Sequence, residues 1–305
     1  MFHSLPFIVT SIQTYVRQTF VRQTYVRPAY VGQAYVRQNT LRGKPACSVE
    51  HLTVCLGVTA LSANEALLLI GHGSARYPDA GRTMRLHAET LRQGASFAQV
   101  EIALLNGTPS VSDALDRIAT PTIRVVPFFM EDGYFNRVAV PGALGSRPVH
   151  LCPPVGIHDG MAGLIERHAL AACDGSGVPS HATAVVVAGH GSASAPGRAL
   201  ALRRHAARVA ATEVFARVEA ACLEEAPFVA DTLLSLRAHP VVVIGFFANH
   251  GSHVRDDVPA LIQAEQAARR SMSNDDGGLP VGFHGCVTED PMMVQIITEQ
   301  AGISA

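Results

Sequence analysis

The sequence predicts an α/β protein built of two tandem repeats, each a four-stranded parallel sheet with flanking helices. Three observations carry this. The tetrapeptide GHGS stands at 71–74 and again at 189–192, each time directly behind an apolar run, ALLLI and AVVVA. Shifted by 118 residues, positions 71–141 align with 189–259 without a gap and agree at 26 of 71 positions. Within each copy, short apolar runs alternate with stretches of helical periodicity, the pattern of parallel strands joined by right-handed crossovers.

The elements follow in order, first copy and then second. ALLLI and AVVVA make strand one, and RTMRLHAETLR and RALALRRHAARVA the helix after it. QVEIALLN and RVEAACLE make strand two, ending at Leu105-Asn106 and Leu223-Glu224. VSDALDRIA and VADTLLSLR follow as helices, then IRVVPFFM and VVVIGFFA as strand three. A third helix begins at PGALG and at PALIQAEQAARR, and VHLCPPVG and LPVGFHG close each copy as strand four. VGIH (155–158) matches VGFH (281–284) at an offset of 126, which predicts an eight-residue insertion around SMSNDDGG in the second copy. Each repeat is then a flavodoxin-like layer. The repeats span 64–175 and 181–305.

Residues 1–63 stand apart. Positions 14–38 hold five copies of a five-residue unit, TYVRQ TFVRQ TYVRP AYVGQ AYVRQ. Five is the period of neither an amphipathic helix nor a strand, so residues 1–63 read as a low-complexity or disordered extension rather than a solenoid repeat or a sticky basic arm. TVCLGVTALSA (53–63) has the apolarity of a signal core but sits too far along the chain, and no export is expected.

Composition narrows the function. The chain has 305 residues, 48% hydrophobic and 16% charged, with net charge −1, so broad nucleic-acid or membrane binding is not expected. No apolar run reaches the roughly 18–20 residues of a membrane span. Six cysteines (47, 55, 152, 173, 222 and 286) include no C-x-x-C pair. They read as reduced thiols of a cytoplasmic protein rather than a zinc or iron–sulfur site.

In open parallel sheets, ligands bind beyond the carboxyl ends of the strands. Both GHGS motifs fall there, placing His72 and His190 on that edge. The remaining strand ends separate the copies. The second carries Glu224 after strand two and GSHVRDDVP (251–259) after strand three, which adds His253. Two imidazoles and a carboxylate suit a first-row divalent metal with open positions for a further ligand. The first copy has His72, Asn106 and Phe135 at these places, and Ala139 where the second has Asp257. Direct metal chemistry is therefore expected of the second copy alone. His87 and His205 recur on the first helix and read as structural, whereas His250, opposite Asp132, is a candidate for supporting the site.

From about residue 66 to 300 the chain resembles the class II chelatases of the cobalamin and sirohaem pathways, the sirohydrochlorin cobaltochelatase and ferrochelatase group, in their long tandem form. The resemblance rests on the strand-GHGS opening, V-E-x-A-x-L-E at 218–224 and F-F-x-x-x-G-x-H-V-x-x-D-x-P at 246–259. It implies a metal site formed by His190 and His253 with the help of Glu224. The activity it implies is insertion of a divalent metal into sirohydrochlorin, with cobalt preferred and iron or nickel as alternatives. The metal is then a substrate and the chain a lyase acting as a monomeric pseudo-dimer.

The tetrapyrrole would lie in the cleft between the repeats. His190 and His253 would hold the metal and accept the two pyrrole protons, since imidazoles titrate near neutral pH. Arg255 and Arg137, at matching positions, would grip peripheral carboxylates. His72 and Ser192 would contact substrate, and Arg76 and Arg198 are weaker candidates. The absence of G-x-x-x-x-G-K-[ST] fits a reaction without nucleotide. A non-catalytic metal or tetrapyrrole carrier is the alternative, and a histidine-dependent hydrolase or phosphoryl-transfer enzyme is weaker still.

Overall fold

The computed structural model describes residues 64–74, 79–94, 96–272 and 278–302, all within one compact unit. The pentapeptide tract and Arg76 lie outside the described residues. In the first repeat the strands are β1 (Glu65–Gly73), β2 (Gln99–Asn106), β3 (Thr122–Pro127) and β4 (His150–Leu151). In the second they are β5 (Ala184–Gly189), β6 (Arg217–Cys222), β7 (Val241–Gly245) and β8 (Val281–Cys286). Both sheets are wholly parallel, in the orders β2-β1-β3-β4 and β6-β5-β7-β8. The α/β tandem fold read from the sequence is the observed one.

The helices are α1 (Arg82–Gln93), α2 (Val111–Arg117), α3 (Val140–Leu144) and α4 (Met161–Ser176), then α5 (Leu200–Ala210), α6 (Val229–Ser235), α7 (Val258–Met272) and α8 (Met293–Gln300). Strand side chains alternate between two cores, as the pleat requires. Leu68 and Ile70 join the core under α2 and α3, while Leu67 and Leu69 face inward. Val186 and Ala188 pack outward under α6 and α7, while Val185 and Val187 face inward. The inward faces share one core with α1, α4, α5 and α8, so the two repeats are one hydrophobic body.

That shared core is built by exchange. Helix α4 ends the first repeat in sequence, yet it packs on α5, β7 and β8 of the second. Helix α8 ends the second and packs on α1 and on the short Val155–Ile157 turn of the first. Two buried histidines pin the exchange symmetrically. His87 on α1 donates from Nε2 to the Thr288 carbonyl at 2.6 Å, and His205 on α5 donates from Nε2 to the Gly156 carbonyl at 2.8 Å. The structural reading of this pair thus acquires a specific content: each closes the other repeat's turn.

One expectation is corrected. Arg124 pairs with His150 in the first sheet and Val242 with Gly282 in the second, so strand four is offset by 132 residues, not 126. The insertion is therefore fourteen residues, not eight. VGI (155–157) is a 3-10 turn whose counterpart is Val287–Glu289, whereas VGFH lies within β8. The extra length begins with α7, fifteen residues against five in α3. Gly145, at φ +62°, stops α3 early, a conformation open mainly to glycine.

Candidate metal centre

The second GHGS forms the turn at the carboxyl end of β5. Gly191 sits at φ +71°, and a Cβ there would stand 2.7 Å from Cys222 Cβ and Glu225 Cγ, so any side chain strains the backbone and displaces a neighbour. This tight turn leaves the His190 imidazole exposed at the sheet edge, with its Nδ1–H donating to the Gly191 carbonyl at 3.0 Å. The Glu224 amide donates to the His190 carbonyl at 2.9 Å, which lays the strand-two end beside it. His253 opens a single π-helical turn, His253–Asp257, that leads into α7.

These segments bring three side chains together. One ligand atom each from His190, Glu224 and His253 lies within 4.8 Å of the others, and among the described residues no other group of three such side chains does so. His190 Nδ1 is 3.7 Å from Glu224 Oε2, and the two imidazoles stand edge-to-face with ring centres 4.6 Å apart. Phe247 lies behind His253, its ring 6.4 Å away and nearly parallel. The His253 Nδ1 bonds Asp257 Oδ2 at 2.6 Å, leaving Nε2 as its available donor atom. An open cleft beside the group is lined by Leu223, Glu224, His253, Asp257, Ala260 and Leu261. Side-chain exposures of 48%, 45% and 35% for His190, Glu224 and His253 leave the group reachable by an ion from solvent.

The first copy keeps the architecture without the donors. His72 and Phe135 stand edge-to-face at 4.5 Å and 89°, against 4.6 Å and 86° for His190 and His253. His72 Nδ1 likewise donates to the Gly73 carbonyl, at 2.7 Å. A π-helical turn, Phe135–Ala139, repeats that of the second copy. Phenyl and amide groups replace imidazole and carboxylate, so a divalent ion would meet a single strong donor.

The other candidates fall in several places. Arg137 is exposed and pairs with Asp132 at 2.9 Å, while Arg255 occupies the same position of the second π turn. Ser192 shares a hydrogen bond with Ser194 at 3.2 Å within the GHGS loop. Arg198 is exposed farther along that loop. His250 bonds Glu289 at 2.8 Å rather than joining the three-residue group.

Two acids were not anticipated. Glu225, whose side chain is 1% exposed, accepts from the Gly197 amide at 2.7 Å and from Arg203 at 3.0 Å, tying the end of the GHGS loop to α5. Its sequence signal was the contrast of Glu224-Glu225 with Asn106-Gly107. Glu131 of the first repeat accepts from the Ala201 and Leu202 amides at 2.9 and 3.0 Å, capping the start of α5 in the second. Burial pushes its carboxyl above the usual range, against the pull of those amides. Nothing local in the sequence marks this contact.

Fold and donor set together define a tandem α/β protein with, among the described residues, a single candidate metal centre at the strand ends of its second repeat. The chain belongs to the CbiX family, whose model matches residues 66–172 and again 184–302. A probable sirohydrochlorin cobaltochelatase of Halobacterium salinarum is 25% identical over 265 residues, covering 78% of this chain and 90% of the relative. The solved structure of CbiX, described as the terminal enzyme for biosynthesis of siroheme in denitrifying bacteria, is 26% identical with a TM-score of 0.61, covering 79% of this chain and 99% of that one. SirB from Bacillus subtilis with Fe3+ shares the fold at 16% identity and a TM-score of 0.66, covering 78% and 94%.

Proposed function

We propose that this chain is a sirohydrochlorin metal chelatase of the lyase type, inserting a divalent metal in sirohaem or cobalamin synthesis. The observation that carries the reading is the convergence of His190, Glu224 and His253 on the functional edge of one sheet. Membership of the CbiX family and the names of the relatives above supply the substrate class.

His190 and His253 present imidazole nitrogen donors and Glu224 a carboxylate, a borderline set that suits cobalt, iron or nickel. Cobalt is the first choice, following the name of the Halobacterium relative. The protein ligands give way as the pyrrole nitrogens take the ion. Two N–H protons leave for each dication, so charge balances without nucleotide hydrolysis. The two imidazoles accept those protons and return them to solvent through the open cleft. Glu224 offsets metal charge beside His190. Arg255, and Arg137 at the matching position of the first repeat, meet peripheral carboxylates, with His72 and Ser192 contacting the macrocycle.

The test is optical. Sirohydrochlorin and Co2+ or Fe2+ are mixed with substoichiometric protein, with and without ATP, and the macrocycle's visible spectrum is followed. Turnover above the uncatalysed rate, indifferent to ATP, supports the enzyme. A one-to-one spectral shift without turnover would point to a carrier instead.

A further inference from the structure

We infer that Asp257 is a positioning residue for the metal centre: it holds the imidazole of His253 in the tautomer and orientation that turn Nε2 toward the ion. The inference rests on the metal-binding reading of His253 given above.

The contact is short and specific. His253 Nδ1 and Asp257 Oδ2 are 2.6 Å apart, a short N–H···O hydrogen bond. A carboxylate is acceptor-only when ionised, so the proton of this bond sits on Nδ1 and Nε2 carries the free lone pair. Asp257 lines the same cleft but is not one of the three converging side chains, which are His190, Glu224 and His253. Carboxylates that accept from the far nitrogen of a metal-binding histidine typically change affinity about 10- to 100-fold when removed.

A purely structural role would be an ordinary pair of side chains four apart, stabilising the turn by a few tenths of a kcal/mol. The molecule contains its own control against that reading. The first repeat builds the same π-helical turn from Phe135 to Ala139, with neither an imidazole nor a carboxylate at the two ends. The backbone therefore does not need the pair. The two substitutions also go together: where the imidazole is absent, so is the acid that would orient it. His72 and Phe135 show that ring packing alone reproduces the edge-to-face geometry of this site. What packing cannot set is which nitrogen of His253 carries the proton, because a ring flip or a tautomer change leaves its shape almost unchanged.

The experiment measures Co2+ affinity by calorimetry and the visible ligand-field spectrum of the Co2+-loaded chain at one pH. The proteins are the wild type, D257A, D257N, H253A and the H253A/D257A double variant. D257A is expected to bind Co2+ about 10- to 100-fold more weakly, with an altered spectrum and an unchanged metal-free melting temperature. D257N keeps an acceptor oxygen at the same reach and is expected to recover most of the affinity. The double variant should bind no more weakly than H253A, because Asp257 acts through that ring. Affinity within twofold of wild type in D257A overturns the proposal. Additive losses in the double variant also overturn it, by making Asp257 an independent ligand. Should D257A melt early, D257N against H253A/D257A still decides the matter. Wild-type affinity in H253A would instead defeat the underlying reading of the metal centre, a distinguishable outcome.

Discussion

At the scale of single residues, the two copies differ by side chains mounted on almost superimposable geometry. His190 with His253 and His72 with Phe135 have nearly the same ring separation and angle, so the chemical difference is the donor atoms alone. His253→Ala is therefore expected to abolish metal insertion, while His72→Ala lowers it only a few-fold through substrate contact. Equal losses in steady-state turnover would show that the first copy is chemically active. Glycines divide in the same way. Gly191→Ala meets backbone strain and two atoms at 2.7 Å, and should cost about 1–3 kcal/mol. Gly251→Ala faces open space and should be near neutral. Melting temperatures of the two variants, measured side by side, check the contrast.

At the scale of elements, the carboxyl ends of the strands and the π-helical turns form a mount that is present twice and equipped once. The sequence locates that mount because its residues lie beside recognisable strands and loops, and strand-end position and family resemblance both point to His190, Glu224 and His253. Asp257 was visible as a difference from Ala139, but its bond to His253 depends on the π turn, which no periodicity announces. Glu225 and Glu131 were missed because their partners, Gly197, Arg203 and the start of α5, are brought to them by packing. If the mount itself is sound, equipping the first copy should make a second site. The triple variant N106E/F135H/A139D is expected to raise Co2+ stoichiometry from one to two per chain by calorimetry. A value that stays at one would mean that the first edge differs in more than its side chains.

At the scale of the whole molecule, the repeats are interdependent through exchanged end helices and a reciprocal pair of buried histidines. Burial lowers the pKa of His205 to about 4 and depresses that of His87, in each case against the hydrogen bond to the carbonyl it meets. A base whose pKa is lower in the folded state binds fewer protons there than when unfolded. Its contribution to stability is complete above about pH 6.5 and is lost as the pH falls toward 4. Asp290 acts mainly below this window. Its burial opposes ionisation, but hydrogen bonds from His168 and Arg167 outweigh that and hold its carboxyl below the usual range. The melting temperature should therefore fall between pH 7 and pH 4.5. The double variant H87Q/H205Q, which keeps an N–H donor but cannot titrate, should flatten that fall. An unchanged slope would assign the acid sensitivity to other groups.

The sequence by itself determined the duplication, the parallel α/β class, the strand-end edge to which the donor side chains map and the copy that holds two imidazoles and an acid. Each of these follows from local patterns, since strand, turn and donor identity are written in neighbouring residues and an internal repeat compares them directly. Tertiary structure alone decided the exchange of α4 and α8, the true register of strand four, the cross-repeat bonds of His87, His205 and Glu131, and the hold of Asp257 on His253. These join groups by burial and geometry, up to 201 positions apart for His87 and Thr288. Which distant groups a folded core brings into contact is settled by how its layers pack, and no window along the chain contains that information.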